Sequence, residues 1–286
     1  MHAPYVGILI SFAVVILIVA THFNWRKWWY RNDVQFPAPA ERRKDLYVAF
    51  YGCLGDQVAQ TKGSVNLHME SQWEGVDVAR KNIRECGCDV LLDVSPQLFT
   101  RLDGRFVLNP SAIDNLTQLF TTLRLDGTLG RVKVLYPIDE PNNTVGDAHI
   151  LSFALAALRL AASKFSELTE VKFATTYAAD KDFICADQFD WIGFDDYDMK
   201  SHVLVGSKYK ALVSSLKPHQ RTMIIPGAAY GQDPVPFVNY AQSHPEVAVV
   251  LSFLWADREP DVGAKGAKDN GMAQTYLHVG AAALAV

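Results

Sequence analysis

A single (β/α)8 TIM barrel, an α/β fold, is what this sequence predicts from Asp45 onward, preceded by one apolar transmembrane helix. Two observations predict the barrel. Eight short runs rich in Val, Ile and Leu alternate with amphipathic stretches, and several are continuous, as strands covered on both faces require. Eight such units over about 240 residues match the ~250 residues typical of this barrel. The open doubly wound sheet is the rival, and it lacks its signature, since no Gly-x-Gly-x-x-Gly follows the first run.

The strands are expected at Leu46–Tyr51, Val65–Met69, Asp89–Val94 and Val132–Ile138, then Val171–Thr175, Trp191–Phe194, Thr222–Ile225 and Val247–Leu254. Between them, helical spacing marks Val76–Cys86 and Ser111–Leu125, the latter with Ile113, Leu116, Leu119, Phe120 and Leu123 on one face. The longest pattern, Val145–Phe165, has Asn143 or Thr144 as candidate caps. Lys208–Leu216, Val235–Ala241 and Met272–Leu284 complete the series, and the segment after the fifth strand is short.

The amino terminus is different in kind. Tyr5 to Ala20 is almost wholly apolar and residues 1–23 are long enough to span a bilayer. Trp25, Trp28, Trp29 and Tyr30 then form an aromatic belt mixed with Arg26, Lys27 and Arg31. A cleaved signal peptide would want a basic start and a small-x-small site, and Met1-His2-Ala3-Pro4 supplies no such start. Residues 24–44 read as a juxtamembrane segment and linker, stiffened by Pro37 and Pro39 and ending in solvated charge, Glu41-Arg42-Arg43-Lys44. The expectation is a single-pass membrane protein. Its flanking charges favour a cytoplasmic globular part, whereas the chemistry at its strand ends favours an exported one.

Composition is that of an ordinary globular chain of 286 residues, 49% hydrophobic and 20% charged. A net charge of −4 argues against general nucleic-acid binding. Cys86-Gly87-Cys88 is too tight for the usual zinc spacing, and Cys53 and Cys185 stand apart, so the four read as free thiols.

In such a barrel, chemistry sits at the C-terminal ends of the strands. Those ends offer Tyr51, Glu70, Asp93, Asp139-Glu140, Asp195-Asp196-Tyr197, Tyr230 and Trp255. The rim is acidic and aromatic, with no Arg or Lys cluster and His68 as its one histidine. Phosphate substrates need cationic or amide cradles. Carboxylates beside Trp and Tyr suit neutral sugars, which stack an apolar face on the ring and present hydroxyls to the acids.

Asp139-Glu140-Pro141, Asp190-Trp191-Ile192-Gly193-Phe194-Asp195-Asp196-Tyr197 and Phe253-Leu254-Trp255 resemble the fourth, sixth and eighth strands of glycoside hydrolase barrels. There is one departure. The large retaining clan has Asn before its fourth-strand Glu and a nucleophilic Glu ending the seventh strand. Here Asp139 precedes, and Pro226-Gly227-Ala228-Ala229 holds no carboxylate. The adjacent Asp-Glu pair is similar to that of substrate-assisted β-N-acetylhexosaminidases, in which the substrate's own acetamido oxygen attacks the anomeric carbon.

That resemblance implies Glu140 as general acid/base and Asp139 as the group orienting the acetamido N–H. It implies Tyr197 or Tyr230 on the acetamido oxygen and Trp255 as the pocket floor. Asp195 or Asp196 could instead face Glu140 as nucleophile or base, and Glu70 and Asp93 are candidates for sugar hydroxyls. No cofactor and no metal is expected on this reading, the partners being a glycan and the membrane, with no protein partner inferable. One alternative is a catalytically inactive barrel that binds glycan or protein. A lesser one is a metal-dependent hydrolase using Asp139, Asp195 and Asp196. The plain structural reading of Asp139-Glu140-Pro141 is a helix start, since Pro and acids both favour a first helical turn.

Overall fold

A computed structural model of the chain describes residues 42–53, 55–72, 74–102, 105–178, 182–195, 207–256 and 265–285. The expected membrane helix over 1–23, the belt, most of the linker, and Asp196 and Tyr197 lie outside the described residues. Among the described residues no helix is long and apolar enough to cross a membrane.

The barrel strands are β1 (Tyr47–Phe50), β2 (Leu67–Glu70), β3 (Asp89–Asp93), β4 (Val132–Tyr136), β5 (Lys172–Ala178), β6 (Trp191–Asp195), β7 (Arg221–Ile224) and β8 (Val247–Ser252). All neighbours pair in parallel, β2 to β8 in sequence order and β8 back to β1. Between β1 and β2 the ladder is replaced by a side chain. Asn66 accepts from Val48 N (2.7 Å) and donates to the Leu46 carbonyl (2.9 Å), and its own N–H reaches the Val48 carbonyl. The result is a nearly closed eight-stranded barrel.

Alternation along each strand decides what lies inside. Ala49, Leu67, Met69, Leu91, Val134, Tyr136, Ala174, Trp191, Met223, Ile225 and Leu251 fill the interior, with Tyr47, Tyr51 and Phe253 packed against them. Gly193 falls on an inward position of β6 because a Cβ there would meet Met223 at 3.2 Å. Among the described residues the longer helices are α1 (Val76–Cys86), α2 (Ala112–Leu125), α3 (Ala148–Ala162), α4 (Ser207–Ser215), α5 (Val235–Ser243) and α6 (Ala273–Leu284). α1 buries Ala79, Asn82, Ile83 and Cys86 on one stripe and stops at Gly87, whose φ of +71° is the left-handed cap that glycine supplies without strain.

Three features depart from the sequence expectation. A two-stranded antiparallel hairpin, Phe99–Leu102 with Arg105–Leu108, follows β3. It is too short and mixed in pattern to stand out. α3 begins at Ala148, and Asp147 is its cap, accepting from His149 N (2.7 Å) and Ile150 N, so neither Asn143 nor Thr144 caps it. Arg43 is not solvated charge. Its guanidinium donates to the Ala241 and His244 carbonyls at 2.8 and 2.7 Å, beside the last turn of α5, and pairs with Asp45 at 3.0 Å. A cation at these carbonyls is favoured by the helix dipole.

Candidate active site

The segment after β4 is fastened to β5. Pro137 cannot extend the ladder, and the chain turns. Thr175 Oγ1 donates to the Ile138 carbonyl (2.8 Å), Glu140 N donates to the Thr176 carbonyl (2.8 Å), and the Asn142 amide bridges the Ala178 N–H and carbonyl (3.1 Å each). Glu140 itself sits at φ +45°, ψ +58°, a left-handed conformation that a β-carbon disfavours. Its carbonyl accepts from Asn143 N, Thr144 N and Thr144 Oγ1, all at 2.8 Å, which holds the strained backbone in place. Pro141 opens a one-turn helix, Pro141–Thr144, with Glu140 at its N-cap position, as the helix-start reading expects, but the Glu140 side chain caps no backbone N–H of that turn. It is half-buried and accepts from Asn143 Nδ2 at 2.9 Å.

Asp139 points the other way. Tyr136 Oη donates to one carboxylate oxygen at 2.6 Å and Tyr51 Oη to the other at 3.2 Å. Burial outweighs these donors, and with the neighbouring Glu140 charge it pushes the carboxyl up to about 6. Asp93 stands directly beside Tyr136 across the β3–β4 ladder. It is 8% exposed and accepts from Ser95 N at 2.8 Å, and burial raises it to about 7 against that bond. Asp195 ends β6 opposite Ala178. Burial first, and then the charges of Asp139, Asp93 and Asp195, hold the Tyr51 hydroxyl far above its ordinary value. Three strands and the β4 loop thus deliver three aspartates around one tyrosine at the C-terminal mouth. Such an arrangement can hold a proton near neutral pH beside an ionised carboxylate.

Four expected site residues, Asp93, Asp139, Glu140 and Asp195, are therefore placed at this mouth. Two others go elsewhere. Trp255 is 1% exposed, its ring 4.8 Å from Phe50, which in turn packs on Tyr276 of α6. It lies in the helix-facing layer and offers no face for stacking; the eighth-strand aromatic in the mouth is Phe253, 5.5 Å from Tyr51. Glu70 is 2% exposed and follows inward-facing Met69, so it turns outward. It pairs with His68 Nε2 at 3.1 Å and accepts from Gln72 N at 3.0 Å. Gln72, at φ +55°, in turn donates through its amide to the Asp93 carbonyl and exchanges amide bonds with Gln97. Glu70 supports the Asp93 strand end from behind.

Tyr230 lies on the Ala228–Tyr230 turn beyond β7, 54% exposed, and Asp196 and Tyr197 are outside the described residues. The sequence placed Tyr51 in the rim and Tyr136 just ahead of Asp139 without assigning either hydroxyl a role. The available signal was parity, because both share a face with the inward residues Ala49 and Val134. Among the described residues no three His, Cys, Asp or Glu side chains group as metal ligands. A cavity of about 520 Å3 opens at the other end of β5 and β6, by Phe173, Asp190 and His219, away from the carboxylates.

No family model and no curated protein sequence matches this chain. Solved structures do match. The GH2 β-galacturonidase of Eisenbergiella tayi bound to galacturonate superposes with a TM-score of 0.56 at 9% identity, over 84% of this chain and 51% of that one. The β-glucuronidase of Ruminococcus gnavus gives 0.53 at 10%, over 82% and 51%. Two fungal β-1,4-galactanases are represented by a match of 0.51 at 12%, over 81% of this chain and 98% of that one. The architecture is that of glycoside hydrolase barrels. This chain spans about half the length of the first two enzymes and nearly all of the galactanase.

Proposed function

We propose that the chain is a glycoside hydrolase that cleaves a neutral glycan at the C-terminal mouth of its barrel, with Glu140 as general acid/base. The observation that carries this reading is the strained Glu140 backbone, braced by its hydrogen bonds, beside the tyrosine-held Asp139. Strain of this kind persists where the surroundings over-determine it, and it gathers at functional sites. The barrel it shares with glycosidases of three specificities supports the reaction class.

Asp139 is the fixed partner in the pair. Tyr136 and Tyr51 hold its carboxylate in place, and Glu140 delivers the proton to the leaving oxygen on this reading. The end of β7, Pro226-Gly227-Ala228-Ala229, supplies no carboxylate, and the nearby Asp233 accepts from Val235 N at 3.0 Å. Substrate assistance fits that gap. A 2-acetamido sugar brings its own nucleophile, and Asp139 orients the acetamido group. Residues 1–23 tether the enzyme to a membrane on this reading, and protease accessibility in intact cells decides on which side the barrel lies.

The test is a screen of aryl-glycosides with and without the acetamido group, run on the wild-type protein and on Glu140→Gln. Turnover lost in the variant with folding intact supports the assignment. Undiminished turnover removes Glu140 from the chemistry. A second reading, a non-catalytic glycan-binding barrel, is favoured by one observation: both oxygens of Asp139 are already engaged by tyrosines. Glycan binding by calorimetry, without turnover of any substrate, would select it.

A further inference from the structure

The outward faces of α1 and α2 are built differently. α1 pairs Arg80 with Asp77 at 3.0 Å and Lys81 with Glu85 at 4.0 Å, the usual dress of a solvated helix. α2 carries amides and hydroxyls instead, Asn115, Thr117, Gln118, Thr121 and Thr122. Asn and Thr are weak helix formers, and Glu or Lys would hold a helix better at such outward positions. The choice costs helix stability and leaves a neutral, hydrogen-bonding stripe.

Part of that stripe lines a groove of about 290 Å3 between the start of α1 and the side of α2. Val76, Pro96 and Leu119 form its apolar side, and Gln97, Asn115, Gln118 and Thr122 its polar side. No charged side chain is among these lining residues. Among the described residues the Asn115 and Gln118 side chains have no hydrogen-bond partner. Thr122 Oγ1 gives its proton to the Gln118 carbonyl (2.9 Å) and can still accept. Gln97 is held rigidly, because it exchanges amide bonds with the buried Gln72 at 3.0 and 3.2 Å. One N–H and one lone pair of its amide remain for a ligand.

Side chains that both donate and accept match hydroxyl groups, which do the same, and the apolar side matches the C–H face of a sugar ring. An ionic ligand finds no charged partner among the lining residues. A peptide would want an exposed strand edge or a run of side-chain anchors, and a short groove between helix sides offers neither. Its volume is at the lower end of the ~300–1,000 Å3 of small-molecule sites, which suits a single sugar unit.

We propose that this groove is a second carbohydrate-binding site, on the helix side of the β3 end, that takes one neutral sugar unit between Gln97 and the Asn115–Gln118–Thr122 stripe. The choice of a sugar rests on the glycan reading of the barrel. Gln97 links the two places, since its partner Gln72 donates to the Asp93 carbonyl. A glycan held here is kept beside the mouth, where its local concentration rises.

The test is photoaffinity labelling of the full chain with diazirine-tagged methyl glycosides of glucose and N-acetylglucosamine. Diazirine-tagged tri-alanine and glucuronate are the peptide and charged controls. The neutral glycosides should label the tryptic peptide Phe106–Arg124, which carries the α2 stripe, and excess untagged glycoside should suppress that label. In the Asn115→Ala/Gln118→Ala double variant the label should fall about tenfold, the worth of two net hydrogen bonds. Alanine is the better helix former, so the melting temperature should hold or rise. The proposal is overturned if Phe106–Arg124 stays unlabelled, if either control probe labels it as well as the sugars do, or if the double variant labels like the wild type. Labelling confined to Val134–Arg159, which carries Asp139 and Glu140, overturns this site and leaves the mouth reading standing. Labelling of Phe106–Arg124 in a protein whose Glu140→Gln variant keeps full turnover does the reverse.

Discussion

The two ends of this barrel carry charge in opposite ways. At the N-terminal end, Asp45 is paired with Arg43 (3.0 Å) and Arg221 (3.1 Å), and Tyr47 Oη donates to Asp89 at 2.9 Å beneath the Trp191 ring. Each acid there has a cation or a donor, and the Arg43 bond draws Asp45 below its ordinary value. At the C-terminal end, Asp93 and Asp139 accept from a backbone N–H and two tyrosines, and the charges acting on them are other carboxylates. Their values rise instead. One end is arranged for stability and the other holds acids in a state that costs stability, which is what the proposed site at that end requires.

The contrast breaks most sharply under substitution. Glu140→Gln should lower kcat by a factor on the order of 10^2–10^4, the usual worth of a positioned acid/base, with an unchanged melting temperature. Arg43→Ala should do the reverse, lowering the melting temperature while leaving kcat/KM intact. Its loss strips the Ala241 and His244 carbonyls of their donor and Asp45 of one cation, a cost of about 1–3 kcal/mol by denaturant titration. If Arg43→Ala abolished turnover while Glu140→Gln only destabilised the protein, the division between the ends would be wrong.

The pH dependence sharpens the same contrast. Asp93 is raised from 3.8 to about 7 on folding. The folded state therefore binds more protons between those values, and its stability falls as pH rises from about 4 to about 7. Asp139, raised to about 6, adds to the slope over pH 4 to 6. Asp45 is lowered, so its contribution is present above its unfolded value of 3.8 and is lost as pH falls below it. Melting curves from pH 3 to 8 should thus peak near pH 4 for these groups. Asp93→Asn should flatten the decline above that peak and stabilise the protein at pH 8.

Asp139→Asn should damage hydrolysis of 2-acetamido glycosides more than that of plain hexosides, read as the ratio of their kcat/KM values. The smallest effect is expected from Tyr51→Phe. It removes the weaker of the two donors to Asp139, at 3.2 Å, and should move the pH–rate profile upward with little change in the melting temperature.

All eight strands and six long helices were legible because each is a local pattern. Val76–Cys86 was placed residue for residue, since a glycine bounds it at each end. The Asp139-Glu140 pair was legible for the same reason, as two acids following a buried strand. The hairpin at Phe99–Leu108 was not, because four-residue strands carry little period. The role of Arg43 was hidden because its partners, Ala241 and His244, lie some 200 residues away along the chain.

By itself, then, the sequence determined the number, kind and order of the elements and put acids at the strand ends, because hydrophobic period and Pro/Gly punctuation act over a few residues. Only the tertiary structure decided which acids meet. Barrel closure gathers Tyr51, Asp93, Asp139 and Asp195 from positions far apart in the chain, and it sends Trp255 and Glu70 to the outer layer. The face a side chain takes depends on which of two parities the packed core fills. For Trp255 the strand ladder had already ended at Ser252, so parity no longer applied. Long-range packing settles both, and no local pattern encodes it.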